Sequence, residues 1–421
     1  MRHKRSFANI LIAVALVGSI ALATNVSSGS APARAAGSVS LATWSSNPTE
    51  QAGQKKLVSA FEAKYGIHVD LQVINGDYPT ILKTRFVAGT APDVFYMGSD
   101  QIQDFASTGS LLNLDFLKKN KAFGYSNYYK NLQASWVYHG HVYGVSKDYS
   151  TLGLWYNKDK FKAAGIKSPP TTWAQLKTDA CKLSNKANKV YGISLSADPA
   201  RWLAFLLAAG GGSTGGGGIL NKAQTKAYIA GKAGVSSLNF YAGLVKSGCA
   251  ATPSQVGAGW NGEAFGHENA AMALEGVWML SYMQQTFPNV HWGIAPLPKG
   301  PTGKQGNLAF VGAYGAYARS SNRANQLKLI EYLAGKAGTS VWAHVVSYIP
   351  ARKDVKLPPL TKVFVNQVKY AKTFTFPPGF GDRALTPMGN DIQAVMDGKM
   401  TAQQAITDMQ QKATQALTQA P

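Results

Sequence analysis

The chain has 421 residues and a formal net charge of +21, from 42 lysines and arginines against 21 aspartates and glutamates. At this length two hydrophobic cores are expected, because single cores stop growing beyond about 250–300 residues. The basic residues never form a block of five or six and no nucleic-acid motif accompanies them. This argues against a nucleic-acid binder and leaves a solvated basic surface as the simplest reading.

The first residues read as an export leader. Arg2, Lys4 and Arg5 precede an apolar run over residues 10–23, which is too short for a comfortable membrane span. Cleavage after Ala23 is possible; the preferred site follows Ala35 in Ala33-Arg34-Ala35, so residues 1–35 are the expected signal peptide. That segment carries four basic residues and no acidic ones, so the remainder keeps a net charge of +17. The only cysteines are Cys181 and Cys249, so there is no lipoprotein cysteine at the cleavage point. The reading is a soluble exported protein, periplasmic or at the cell surface, with an uncleaved N-terminal anchor as the alternative. In an oxidising compartment Cys181 and Cys249 form a possible disulfide, with two buried thiols as the other possibility.

Residues 38–44 (SVSLATW) alternate as a strand should, residues 50–65 place Leu57, Val58 and Phe61 at helical spacing, and residues 69–74 form a second strand. This β-α-β start predicts a mainly parallel sheet flanked by helices. A helix over 78–88 ends at Gly89, and residues 92–97 (PDVFYM) form a third strand. Ligands in such sheets bind beyond the carboxyl ends of the strands, which selects Trp44-Ser45-Ser46, Asn75-Gly76-Asp77 and Gly98-Ser99-Asp100. Residues 136–145 read as a hairpin turning at His139-Gly140-His141. A second α/β unit follows, with helices near 173–185, 202–209 and 235–247, and with the glycine run 210–218 as a flexible loop. Helices are expected again over 325–334 and 401–416. The chain is predicted to cross between two lobes near Asp148, Gly312 and Arg352. The lobes are then 36–148 plus 312–352 and 149–311 plus 353–421.

Five segments in order carry a family resemblance: Gly89-Thr90-Ala91-Pro92-Asp93-Val94, Gly140-His141-Val142-Tyr143-Gly144, residues 154–173 (LWYNKDKFKAAGIKSPPTTW), residues 269–278 (NAAMALEGVW) and residues 295–300 (APLPKG). Together they resemble the extracellular solute-binding proteins of family 1, the maltose-binding-like sugar receptors of ABC importers. Val277 stands where that family commonly has proline, and the glycine tract is unusual. The resemblance implies a two-lobed α/β periplasmic-binding-protein fold of type II-like topology with three hinge crossings. It also implies a monomeric receptor that needs no cofactor or metal, captures a mono- or oligosaccharide, and hands it to an ABC transporter permease.

Sugar recognition needs flat apolar faces for the rings and carboxylates or amides for the hydroxyls. Trp278 matches a ligand-stacking tryptophan of the family and Asp100 a hydroxyl-binding aspartate; Arg201 and Trp202 match a segment that lines the cleft. Trp44, Ser45 and Asp77 are selected by strand-end position, although Trp44 could cap the sheet and Asp77 could cap the helix that follows. Asp148 and Tyr149 are selected by their place at a crossing. Trp260, Tyr314 and Arg383 complete the candidates, with packing aromatics and a surface ion pair as their plainer roles.

Other readings fail on context. Gly257-Ala258-Gly259-Trp260-Asn261-Gly262 and residues 210–215 both satisfy G-x-G-x-x-G, yet neither clearly follows a strand and opens a helix. His139 and His141 sit two apart on a turn and lack an obvious third metal ligand. Three alternatives remain: an anionic ligand such as a sugar acid or glycerol phosphodiester, a secreted glycoside hydrolase with two facing carboxyls, and a wall adhesin exploiting the positive charge.

Overall fold

The computed structural model describes residues 37–45 and 47–419; the expected leader and Ser46 lie outside them. The strands are β1 (Ser38–Thr43), β2 (His68–Val73), β3 (Val94–Gly98), β4 (Val137–Tyr138), β5 (His141–Val142), β6 (Gly144–Thr151) and β7 (Gly153–Asn157). They continue with β8 (Ile193–Ser194), β9 (Ala250–Ala251), β10 (Met272–Glu275), β11 (Trp292–Ala295), β12 (Asn307–Ala316), β13 (Ile349–Pro350) and β14 (Ala371–Thr373). A seven-stranded sheet has the order β13-β6-β12-β3-β1-β2, with β14 also on β12, and a five-stranded sheet has the order β11-β7-β10-β8-β9.

The opening β-α-β unit forms for local reasons. Asn47 caps the helix Pro48–Tyr65 by accepting from the Glu50 N–H at 2.9 Å, Pro48 is at the first helical position, and Gly66 ends the helix at φ 65°. Leu57, Val58 and Phe61 face the core, and β1 pairs in parallel with β2 and β3. The hairpin turns on His139 and Gly140, both at positive φ, as a two-residue turn requires.

Both sheets are mixed rather than mainly parallel. β12 runs antiparallel to β3 and β6, and β7 runs antiparallel to β10 and β11. The reason is the connection: β6 runs almost directly into β7 with only Leu152 between them. Neighbours of this through-going strand pair with it as returning strands instead of through helical crossovers. The three expected crossings lie side by side, since Asp148 of β6 pairs with Gly312 of β12 on one side and with Pro350, two residues before Arg352, on the other.

Two hydrophobic cores form, one centred on each sheet, with some residues of each sheet entering the other's core. One gathers Leu41, Phe61, Tyr96, Trp136, Tyr314 and Trp342; the other gathers Leu154, Trp202, Leu206, Tyr241, Met272 and Ile406. Each such side chain contributes about 1.5–3 kcal/mol on burial. The glycine run is not a loose loop: Gly216, Gly217 and Gly218 are buried, packed beneath Leu207, Leu220 and Phe376, where side chains would not fit. Among the described residues no helix is long and apolar enough to cross a membrane.

Cys181 and Cys249 form a disulfide at the edge of the second core, with Cys249 buried and Cys181 exposed, Cα atoms 4.3 Å apart, 68 residues apart in sequence. A loop of that size contributes about 4 kcal/mol in the chain-entropy model. Unfolded, unreduced protein should therefore show no titratable thiol with Ellman's reagent, and Cys181→Ser should lower Tm. Two titratable thiols would contradict the bridge.

Candidate functional site

A cavity of about 480 Å³ opens at the carboxyl ends of β1, β2 and β3. Trp44 follows β1, Asp77 and Tyr78 follow β2, and Ser99 and Asp100 follow β3. Lys147 to Ser150 of β6 and Phe310 to Gly312 of β12 line the middle; Tyr348, Phe374 and Trp278 complete the walls.

The aromatic wall is braced. Trp44 stands edge-on to Tyr78 and Tyr96, with ring centroids 5.1 and 5.2 Å away. Tyr78 donates its hydroxyl proton towards the carbonyls of Ala42 at 3.2 Å and Tyr96 at 3.1 Å, fixing the ends of β1 and β3. Trp278 meets Phe310 edge-on at 5.7 Å, Phe310 meets Phe374 at 5.7 Å, and Trp278 packs against both cores.

The polar groups differ in how far they are committed. The register of β6 against β12 slips between Gly312 and Ala313, so Lys147 has no partner on β12. This bulge brings two successive side chains to one side, and the Lys147 ammonium lies 2.5 Å from the Asp148 carboxylate. Asp148 also accepts from the Trp342 indole at 2.7 Å, and Lys147 lies 4.4 and 4.2 Å from the Tyr96 and Trp342 ring centres. Gly312 leaves room for this pair, because a Cβ there would stand 2.7 Å from the Asp148 carboxylate. Asp77 caps the helix Tyr78–Val87, accepting from the Thr80 N–H at 3.3 Å and the Thr80 hydroxyl at 2.7 Å. Asp100 is different. Burial pushes its carboxyl up to about 6, against the opposing pull of its own backbone N–H.

Of the sequence candidates, Trp44, Asp77, Asp100, Asp148, Tyr149 and Trp278 meet in this cavity. The others do not line it. Ser45 donates to the Asn47 carbonyl at 2.8 Å. Trp202 is fully buried in the second core, and Tyr314 is fully buried against Tyr96 in the first. Trp260 packs on Tyr282 at 5.1 Å, and Arg383 donates to the Pro378 carbonyl at 2.9 Å beside a separate hollow. Arg201 lies behind the wall, ion-paired to Glu275 and Asp198 at 2.6 Å each. Lys147, Tyr348, Phe310 and Phe374 were not selected from sequence. Phe310 is two residues before the expected crossing at Gly312, a usable signal, whereas Tyr348 and Phe374 flank strands of two and three residues that carry no periodicity.

The family model of bacterial extracellular solute-binding proteins matches residues 45–340. The chain belongs to this family. Among curated relatives, the galactooligosaccharide-binding protein of Bacillus subtilis is 24% identical over 375 residues, 84% of each chain. Among solved structures, an ABC transporter solute-binding protein of Thermotoga lettingae bound with alpha-D-tagatose matches with TM-score 0.82 at 24% identity, over 91% of this chain and 100% of that one. An ABC substrate-binding protein of Listeria monocytogenes in complex with cycloalternan matches with TM-score 0.80 at 21% identity, over 90% of this chain and 99% of that one. These likenesses establish the two-lobed fold of a solute-binding protein.

The raised Asp100 carboxyl gives a pH test that needs no ligand. A buried carboxyl that titrates near 6 favours its neutral form in the fold, so its stabilising contribution is complete below the ordinary carboxylate range and is lost as pH rises through about 6. Asp100→Asn has no charge to desolvate. Its stability relative to the parent, from urea unfolding, should therefore rise between pH 4 and pH 8. A difference that is constant across that interval would show that the carboxylate is well solvated.

Proposed function

We propose that this solute-binding protein captures a neutral mono- or oligosaccharide between its lobes and delivers it to the permease of an ABC importer. The observation that carries the reading is the pairing of braced aromatic faces with a few polar groups in one cleft. Trp44 follows a strand of the larger sheet, Trp278 follows β10 of the smaller one, and Asp77 and Asp100 line the same space. The volume falls within the range of about 300–1,000 Å³ usual for small-molecule sites. A ligand touching both walls favours the closed arrangement of the lobes, which makes it the switch for delivery. The lobes proposed are 36–148 with 312–352 and 149–311 with 353–421, hinged at the strands around Asp148.

Two of the cleft carboxylates are better suited to binding than to hydrolysis. Asp148 is neutralised by Lys147 and Asp77 caps a helix, which leaves them poorly suited as a facing acid and base. An anionic ligand has less support for a similar reason. Lys147 is paired with Asp148, Arg201 is paired with two carboxylates, and Arg383 lies outside the cleft lining. The basic surface is then a property of the exterior, suited to an anionic wall or an acidic habitat.

A thermal-shift screen against neutral sugars should find a ligand, because binding to the native state alone raises Tm. With that sugar, Trp278→Ala should weaken binding by about 1–3 kcal/mol in calorimetry while the protein stays folded. Unchanged affinity would remove Trp278 from the site. Affinity for a neutral sugar should also barely change between low and moderate salt, since screening acts on exposed charges. A steep loss with salt would favour the anionic ligand.

A further inference from the structure

Behind Trp278 lies a network of charged groups that the cleft lining does not include. Glu275 ends β10 and is 1% exposed. One of its carboxylate oxygens accepts from the Trp278 indole N–H at 2.8 Å and from Arg201 Nη2 at 2.6 Å. The other accepts from Asn261 Nδ2 at 3.1 Å, and Asn261 in turn accepts from the Ser194 hydroxyl at 2.9 Å. The Glu275 carbonyl accepts from the Trp155 indole at 3.1 Å. Arg201 Nη1 reaches Asp198 at 2.6 Å, and Asp198 caps the helix that carries Arg201 by accepting from the Ala200 N–H at 2.8 Å. The Arg201 guanidinium carbon also lies 5.8 Å from the Trp278 ring centre. Burial opposes the charge on Arg201, but Glu275 and Asp198 more than compensate and keep it protonated.

We propose that Glu275 and Arg201 are positioning residues that hold the Trp278 indole in one orientation with its face towards the ligand. The proposal rests on the reading of Trp278 as a sugar-stacking residue and assigns its specificity to a second layer. Two further observations fit this role. Gly276 lies so close to the indole that a Cβ would collide with it, so the ring lies flat over the backbone between Glu275 and itself. The Phe310 edge at 5.7 Å bounds the ring on another side. An indole tied at its nitrogen, backed by a glycine and bounded by a phenyl edge loses little further freedom when a sugar stacks on it. A buried carboxylate with three side-chain donors and a largely enclosed guanidinium with two carboxylates are costly to assemble for packing alone, since apolar side chains would fill the same space at least as stably.

The test uses full-length protein labelled with 5-fluorotryptophan and observed by fluorine NMR, with the Trp278 resonance assigned by its loss in Trp278→Phe. The parent should give one sharp line for Trp278. Glu275→Ala should split or broaden that line by freeing the indole. Glu275→Gln, whose amide oxygen still accepts from the indole, should fall between the two, and Arg201→Met should move the line in the same direction as Glu275→Ala. The remaining tryptophans away from the network serve as internal controls for folding. A Trp278 line that stays single and unshifted in all three variants would overturn the proposal, even if the unfolding midpoint falls. In a parallel arm, calorimetry with alpha-D-tagatose and maltotriose should show Glu275→Ala weakening binding about tenfold in the parent and less than twofold in the Trp278→Phe background, where no N–H remains to be held. Equal losses in both backgrounds would also overturn it. If neither sugar binds the parent, the calorimetric comparison is made with the sugar selected by thermal shift, and the NMR result decides by itself whether the indole is held.

Discussion

The fold turns on one short connection. β6 ends at Thr151 in the larger sheet and β7 begins at Gly153 in the smaller one, so Leu152 alone separates the two strands, and the first core reaches across the junction to Trp155 and Ala273 of the smaller sheet. The connection keeps the two sheets adjacent, and residues of β6 and β12 beside it, Lys147 to Ser150 and Phe310 to Gly312, line the cavity. β12 returns beside β6, and β13 pairs with β6 on its other edge, so three segments run together past the same point. These adjacent strands are where the hinge of the proposed lobes would lie.

The base of the cleft is where this arrangement meets its chemistry. The bulge in β6 turns Lys147 and Asp148 towards each other, and the pair is enclosed by Tyr96, Trp342 and Tyr348. Removing one partner from such a pair leaves a buried, uncompensated charge at a cost of about 3–5 kcal/mol, so the two residues depend on each other. Their mutual neutralisation also decides what the cleft presents. Despite the strongly positive chain, its interior offers aromatic faces and hydrogen-bonding groups instead of a free cation.

Much of this was legible in the sequence, for identifiable reasons. The periodicity of Leu57, Val58 and Phe61, the Asp77 cap and the Gly140 turn act locally, so they read correctly without tertiary context. The strand-end rule placed Trp44, Asp77 and Asp100 in the cavity because it follows from parallel β1, β2 and β3 alone. What did not show was decided by long-range packing. Trp202 and Trp278 are both tryptophans in family-like segments, yet one is sealed in a core while the other stands at its edge, and no local pattern separates them. The mixed pairing of the sheets, the bulge at Lys147 and the pairing of Arg201 with Glu275 depend on residues more than seventy positions away or on register, which sequence spacing does not encode. The glycine run read as flexible because its composition is that of a linker; burial against Phe376 overrides that composition.

The central claim is that a neutral sugar joins the two walls of the cleft and closes the lobes around the strands at Asp148. X-ray scattering of the protein with and without a saturating amount of the sugar selected by thermal shift tests it directly. The account predicts a smaller radius of gyration and a narrower distance distribution on binding. Identical scattering profiles at saturation would contradict closure as the event that the ligand controls.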